Sequence, residues 1–267
     1  MPLSDLYPIR NVLLRALPPD DLAPLRPHLD LVPMRKRDVV IRPGEPFEHA
    51  WFPEGGLASV VASQGGGQKL ELGLFGREGM TPIGLVLGSD RTLLETFVQG
   101  EGMWLRVGVD ALRDATRRSP ALHGVLLRYV QTSLLTLGQT ALANGVHTVE
   151  ERLARWLLMM HDRQDGDELP ITHEFLSIML GVHRPGVTVA LHFLEGARMI
   201  RAKRGRITVL DRAKLREAAG GSYVWRPEIE MWRARDHRRF QRIIRETVEL
   251  ARPTLFETRR EIIRPGP

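Results

Sequence analysis

Apolar and polar positions along this chain change their period several times, and each change marks a different kind of element. Up to about residue 27 the stretch NVLLRALPPDDLAPLRPHL mixes short apolar runs with Pro and Asp. It predicts a pair of short helices capped around Asp20 and Asp21. From 31 to 109 many short apolar runs are broken by Gly and Pro, predicting strands at 38–41, 50–52, 57–63, 69–75, 93–98 and 103–107. The breaks are RPGEPFE, the three glycines 65–67, and GREGMTP. Several short strands at this spacing predict an antiparallel barrel or roll. The triple glycine suits a hairpin tip, because glycine accepts positive φ without a steric penalty.

From about 119 to 144 the period becomes helical. Leu127, Val130, Leu134, Leu137 and Ala141 recur at alternating spacings of three and four, the a/d seam by which helices pair along their length. A second stripe of Leu122, Val125, Leu126 and Tyr129 can pack on the helix's own domain, leaving the seam for a second copy of the chain. The alternative is a helix packed entirely on its own domain. Asn144-Gly145 is the predicted stop. Thr148-Val-Glu-Glu151 then has the form of a capping box, opening the apolar helix ERLARWLLMMHDR, which ends at QDGDE. Trp156, Met159 and Met160 read as core residues.

Residues 170–194, PITHEFLSIMLGVHRPGVTVALHFL, predict two crossed helices. Thr172 caps the first, which runs to Leu180, and Gly181 supplies the turn. The second begins near Arg184, with Pro185 in a first turn that tolerates proline. Small Ser177 marks the crossing. Leu176, Leu180, Val182, Val187, Ala190 and Leu191 point inward at helical spacing, while Thr172, His173, His183, Arg184, Thr188 and His192 stay outside. RAKRGRITVLDR follows, predicting two short strands around Arg204-Gly205. Helix, turn, helix and basic two-stranded hairpin is the winged-helix order. The hairpin's Arg201, Lys203, Arg204 and Arg206 have the density that phosphate contacts require. Winged helices also serve as protein-binding modules, so a scaffold or signalling role through protein–protein contact is the alternative.

Charge sharpens this division. Residues 1–168 carry 18 Lys/Arg against 21 Asp/Glu, residues 169–221 carry 9 against 4, and residues 222–267 carry 11 against 7. An acidic front and a basic back suggest that one half meets a polyanion. With no cysteine, disulfides, thiolate metal sites, cysteine-ligated clusters and cysteine nucleophiles are excluded together. The nine histidines show no metal-ligand spacing, and no phosphate loop, nucleophile elbow or paired-carboxylate motif is present. The expectations are a non-enzyme with no cofactor and no metal. MPLSDLYPIRN lacks the marks of a signal peptide and no long apolar run exists, so a cytoplasmic location without membrane contact is expected.

Over about residues 10–223 the chain resembles the Crp/Fnr superfamily of bacterial regulators, most closely in LPITHEFLSIMLGVHRPGVTVALHFLEGARMI and RGRITVLDRAKL. The resemblance implies an α+β protein with an N-terminal antiparallel β-roll (a cupin-like jelly roll) of the cyclic-nucleotide-binding type. A long dimerisation helix and a C-terminal winged helix-turn-helix follow. It implies a homodimeric transcription regulator, with double-stranded DNA and RNA polymerase as partners. The expected divisions are 1–118 for the sensor roll, 119–144 for the helix, 145–221 for the winged helix and 222–267 for a basic helical extension. By the same resemblance Thr172, His173 and His183 sit where phosphate contacts occur, and Arg184 matches the arginine that reads guanine.

Two departures matter. The family's usual glutamate after that arginine is Pro185 here, and its second base-reading arginine falls on Val189. Thr188 and His192 are the candidates to supply what those positions lost. In the sensor, nucleotide-binding relatives hold the ribose with a glutamate and the cyclic phosphate with an arginine. Aligned on Gly84, the glutamate position is Leu85, and Arg91 is followed by Thr-Leu rather than Ser-Ala. A ribose hydroxyl facing Leu85 loses its acceptor, at roughly 1–3 kcal/mol. Cyclic AMP is therefore not expected as a tight ligand, and Arg91 reads as a surface residue beside Asp90. Asp211-Arg212 reads as a structural pair. In the extension, residues 230–251 have helical character, with Trp232, Phe240, Ile243, Ile244, Val248 and Leu250 on one face.

Overall fold

Two short helices, α1 (Val12–Arg15) and α2 (Pro19–Leu22), lead into seven strands: β1 (Asp30–Met34), β2 (Val39–Ile41), β3 (His49–Pro53), β4 (Leu57–Gln64), β5 (Gln68–Phe75), β6 (Glu95–Gly100) and β7 (Gly102–Gly108). The structure is a computed structural model and describes residue 3 and residues 6–64 and 68–223. The tip expected at 65–67, and residues 224–267 of the extension expected over 222–267, lie outside the described residues. Every strand expected from the apolar runs forms, with slightly different ends. They pair antiparallel as two sheets, ordered β1-β7-β3 and β2-β6-β4-β5. Between them Trp104 is buried with Met34, Ala58, Phe75 and Val98, and its indole N–H donates to the Gly55 carbonyl at 3.1 Å.

Strand β1 was not anticipated; it holds Pro33 one residue before its end. It lies at the edge of its sheet, where a missing N–H faces no neighbouring strand. The start of the chain also differs from expectation. The cap belongs to Asn11, whose side chain accepts from the Leu13 and Leu14 amides, while α2 starts after Pro18 with no side-chain cap. Asp20 and Asp21 lie in the first turn of α2, where negative charge suits the helix N-terminus.

Helix α3 (Val109–Arg118) closes the roll and was also unforeseen. Helix α4 (Pro120–Val146) begins at Ser119, whose Oγ accepts from the Leu122 amide at 2.9 Å. It does not stop at Asn144-Gly145. It runs to Val146 and is capped by His147 in an extended conformation. The reason lies one residue on: the Thr148–Glu151 capping box forms as expected and opens α5 (Val149–His161), while the Glu151 carboxylate also meets His147 Nδ1 at 3.0 Å. With the next helix anchored so close, α4 continues up to that anchor.

A third sheet, ordered β8-β10-β9, belongs to the C-terminal part: β8 (Glu168–Leu169), β9 (Ile200–Lys203) and β10 (Arg206–Val209). With α6 (His173–Leu180), α7 (Arg184–Gly196) and α8 (Arg212–Ala218) it completes the winged helix; β8, only two residues long, carries too little pattern to foresee. Met1–Tyr223 forms one compact unit. Leu57, Val61 and Phe97 of the roll share an apolar cluster with Trp156, Phe175 and Met179 of the helical part. Among the described residues no helix is long and apolar enough to cross a membrane.

Candidate nucleic-acid interface

The helix pair is set by three local features. Thr172 caps α6, its Oγ1 accepting from the Phe175 amide at 3.3 Å. Gly181 ends it in the left-handed conformation at φ 61, the turn an L side chain resists. Pro185 sits in the first turn of α7, where its absent N–H is not missed. Leu176, Leu180, Val187, Ala190 and Leu191 are buried, as their spacing requires, with Val182 packed at the margin. Ser177 is half-buried and turns its hydroxyl onto the Glu174 carbonyl at 2.7 Å.

Thr172, His173, His183, Arg184 and His192 are all exposed, and Arg184 reaches Glu174 at 3.4 Å with 65% of its side chain open to solvent. Thr188 is half-buried and donates its hydroxyl to the Arg184 carbonyl of its own helix at 3.1 Å. The wing follows. Gly205 turns between β9 and β10 at φ 79, and Arg201, Lys203, Arg204 and Arg206 are exposed, with Arg206 paired to Glu168 at 2.9 Å. Asp211 and Arg212 do not pair with each other. Asp211 caps α8 by accepting from the Lys214 amide, and Arg212 pairs with Asp162 at 2.6 Å and bonds the Tyr223 hydroxyl.

On α4 the stripe Leu122, Val125, Leu126 and Tyr129 is buried in its own chain. The seam divides. Leu127, Leu134 and Ala141 are exposed and Leu137 is half-buried, whereas Val130 is only 3% exposed and joins the inner stripe. In the roll, Leu85 is buried in the turn Ile83–Leu85 that also holds Gly84. Arg91 lies at the surface in a two-bond pair with Asp90, and its guanidinium holds the Asp90 carboxyl below the usual carboxylate range. Among the described residues no group of three or more His, Asp or Glu is placed to hold a metal ion.

Where the roll meets the helical part, polar residues that sequence reading passed over come together. Trp156, buried with Met159 and Met160 as expected, donates its indole N–H to Glu71 Oε1 at 2.7 Å. Burial pushes the Glu71 carboxyl up to about 7, against the pull of nearby Arg155 and Arg163. Arg163 and Glu78, both buried, meet at 2.6 Å. Lys36 donates to the Pro170 carbonyl at 3.2 Å and lies over the Phe175 ring, which packs edge-on against Phe97. A charged residue inside an apolar run (Glu71 in KLELGLF) was the one available hint.

Residues 151–218 match the Crp-like helix-turn-helix domain family. In fold, the chain is similar to FixK2 from Bradyrhizobium japonicum (TM-score 0.62, 16% identity, covering 71% of this chain and 96% of that one). It is also similar to a CRP/FNR-family transcriptional regulator from Thermus thermophilus (TM-score 0.60, 22% identity, 72% and 98%). The c-di-GMP-responsive global regulator CLP of Xanthomonas campestris gives a TM-score of 0.59 at 18% identity, over 71% and 98%. The helix-turn-helix is Crp-like, on a Crp/Fnr fold. Among curated proteins no sequence match to the chain is found. The exposed edge of α7 and the wing both lie within the Crp-like domain, and a domain of this family implies DNA binding.

Proposed function

We propose that the chain is a homodimeric, sequence-specific transcription regulator that reads DNA with α7 and grips the backbone with its wing. The observation that carries this is the joint exposure of Arg184 at the start of α7 and of Arg201, Lys203, Arg204 and Arg206 on the wing of the same domain. Arg184 forms a bidentate pair with guanine, and the wing cations, with Thr172, His173 and His183, meet phosphates. The exposed part of the α4 seam, Leu127, Leu134, Leu137 and Ala141, pairs with its counterpart on a second copy. Two recognition helices then meet half-sites about 34–36 Å apart. Cyclic AMP is not the signal, because Leu85 offers a ribose hydroxyl no acceptor.

Selection of bound sequences from a random duplex pool tests function and symmetry together. The expected result is a site with dyad symmetry whose affinity falls steeply with salt. No binding at low salt by folded, dimeric protein overturns the reading and favours a protein-binding winged helix.

A further inference from the structure

The face that α7 turns away from its core is apolar at its centre. Val187, Ala190, Leu191 and Leu194 are the buried residues of this helix. At about 100° per residue they occupy one side of it, and the positions directly opposite are Pro185, Val189 and His192. Arg184 and Thr188 stand on one shoulder of that face and Phe193 on the other. Val189 is 62% exposed and Phe193 57%, two large apolar side chains one turn apart on the exposed surface of the domain. Thr188 donates its hydroxyl to the Arg184 carbonyl of its own helix.

We infer that Val189 is a specificity-determining residue that selects thymine by packing against its C5-methyl group in the major groove, with Pro185 extending the same apolar surface. This rests on the DNA-reading role proposed above. A helix laid in the major groove points the residues opposite its core deepest toward the bases. The apolar group that base edges offer there is the thymine methyl. Charge fits duplex DNA as the occupant, because exposed Arg184 flanks the patch on the helix and the wing of the same domain carries four exposed cations. An apolar strip bordered by cations matches a groove whose floor carries methyl groups and whose walls are phosphates.

The test uses the full chain and a duplex taken from the random-pool selection. Each thymine is replaced singly by deoxyuridine, which removes the methyl and keeps the O4 acceptor. One thymine in each half-site should lose roughly four-fold in affinity, the weight of one buried methyl. Val189→Ala, exposed and therefore able to fold, should bind the thymine and deoxyuridine sites equally at that position. 5-Methylcytosine there should recover part of the affinity that cytosine loses. If the parent protein selects a site but Val189→Ala keeps the same deoxyuridine sensitivity, this inference fails while the DNA-reading role stands. If the parent selects no site at all, the DNA-reading role fails with it.

Discussion

The indole N–H of Trp156 donates to the Glu71 carboxylate at 2.7 Å, inside the contact between the roll and the helical part. Glu71 Oε2 has no partner among the described residues. Burial disfavours the charged carboxylate more than the bond from Trp156 and the nearby Arg155 and Arg163 favour it, which is why the Glu71 carboxyl is pushed up to about 7.

The consequence is a stability that depends on pH in a defined direction. The folded form holds a proton that the unfolded chain releases near 4.5, so the folded state binds more protons between about 4.5 and 7. The contribution of Glu71 is fully present below 4.5 and is lost as pH rises to about 7, by about 3 kcal/mol in all. Glu71→Gln keeps the acceptor for Trp156 and cannot ionise. Urea midpoints at pH 5 and pH 8 should differ less in the variant than in the parent, and the variant should be the more stable at pH 8. Equal pH dependence in both would show that Glu71 is ionised in the folded protein.

The buried Arg163–Glu78 pair predicts an asymmetric response to mutation. Removing Arg163 leaves the buried Glu78 carboxylate without its ion pair, and Arg163→Ala should cost about 3–5 kcal/mol in urea unfolding. The double replacement Glu78→Leu with Arg163→Met should recover much of that loss. A double variant as unstable as the single would mean the pair is not the source.

Under the proposed pairing of two copies, the α4 seam separates association from stability. Leu134→Glu, at a position 49% exposed, should leave the unfolding midpoint nearly unchanged and yield monomers in sedimentation. Val130→Ala should do the opposite, costing about 1–3 kcal/mol of stability without dissociating the dimer. Unaltered sedimentation of Leu134→Glu would place any dimer contact elsewhere.

Two arginines should fail differently on DNA. Arg184→Ala should relax base preference at one position, with a loss of about 1–3 kcal/mol on the selected site. Arg204→Ala should weaken all sequences alike and reduce the salt slope by about one. Competition binding with selected and scrambled duplexes at several salt concentrations tells the two apart.

Gly181 is constrained by its φ of 61, and an added Cβ would also stand 2.8 Å from Leu70 Cδ1, the movable end of a β5 side chain. Gly181→Ala should therefore cost at least about 1 kcal/mol, and Leu70→Ala should lessen that cost. Thermal unfolding of the single and double variants measures it.

Local chemistry by itself determined the caps and turns of the winged helix and of the helix leading into it. Thr148 with Glu151, Thr172, Gly181 and Pro185 each satisfy or block backbone groups within a few residues, so their effect is legible without a fold. Short apolar runs likewise determined β2 to β7 of the roll, and helical spacing determined the buried face of α7. Tertiary structure decided the rest. Pro33 became tolerable only once β1 lay at a sheet edge, and α4 outran Asn144-Gly145 because of the cap that follows it. Val130 fits an a/d seam in sequence, yet its own domain claims it. Glu71 and Trp156 stand 85 positions apart, and so do Glu78 and Arg163. Nothing in periodicity records such pairs, because they exist only after the sheet of the roll has packed against α5. The winged helix was readable because its pattern is local, whereas its attachment to the roll was not, because each of those contacts joins distant parts of the chain.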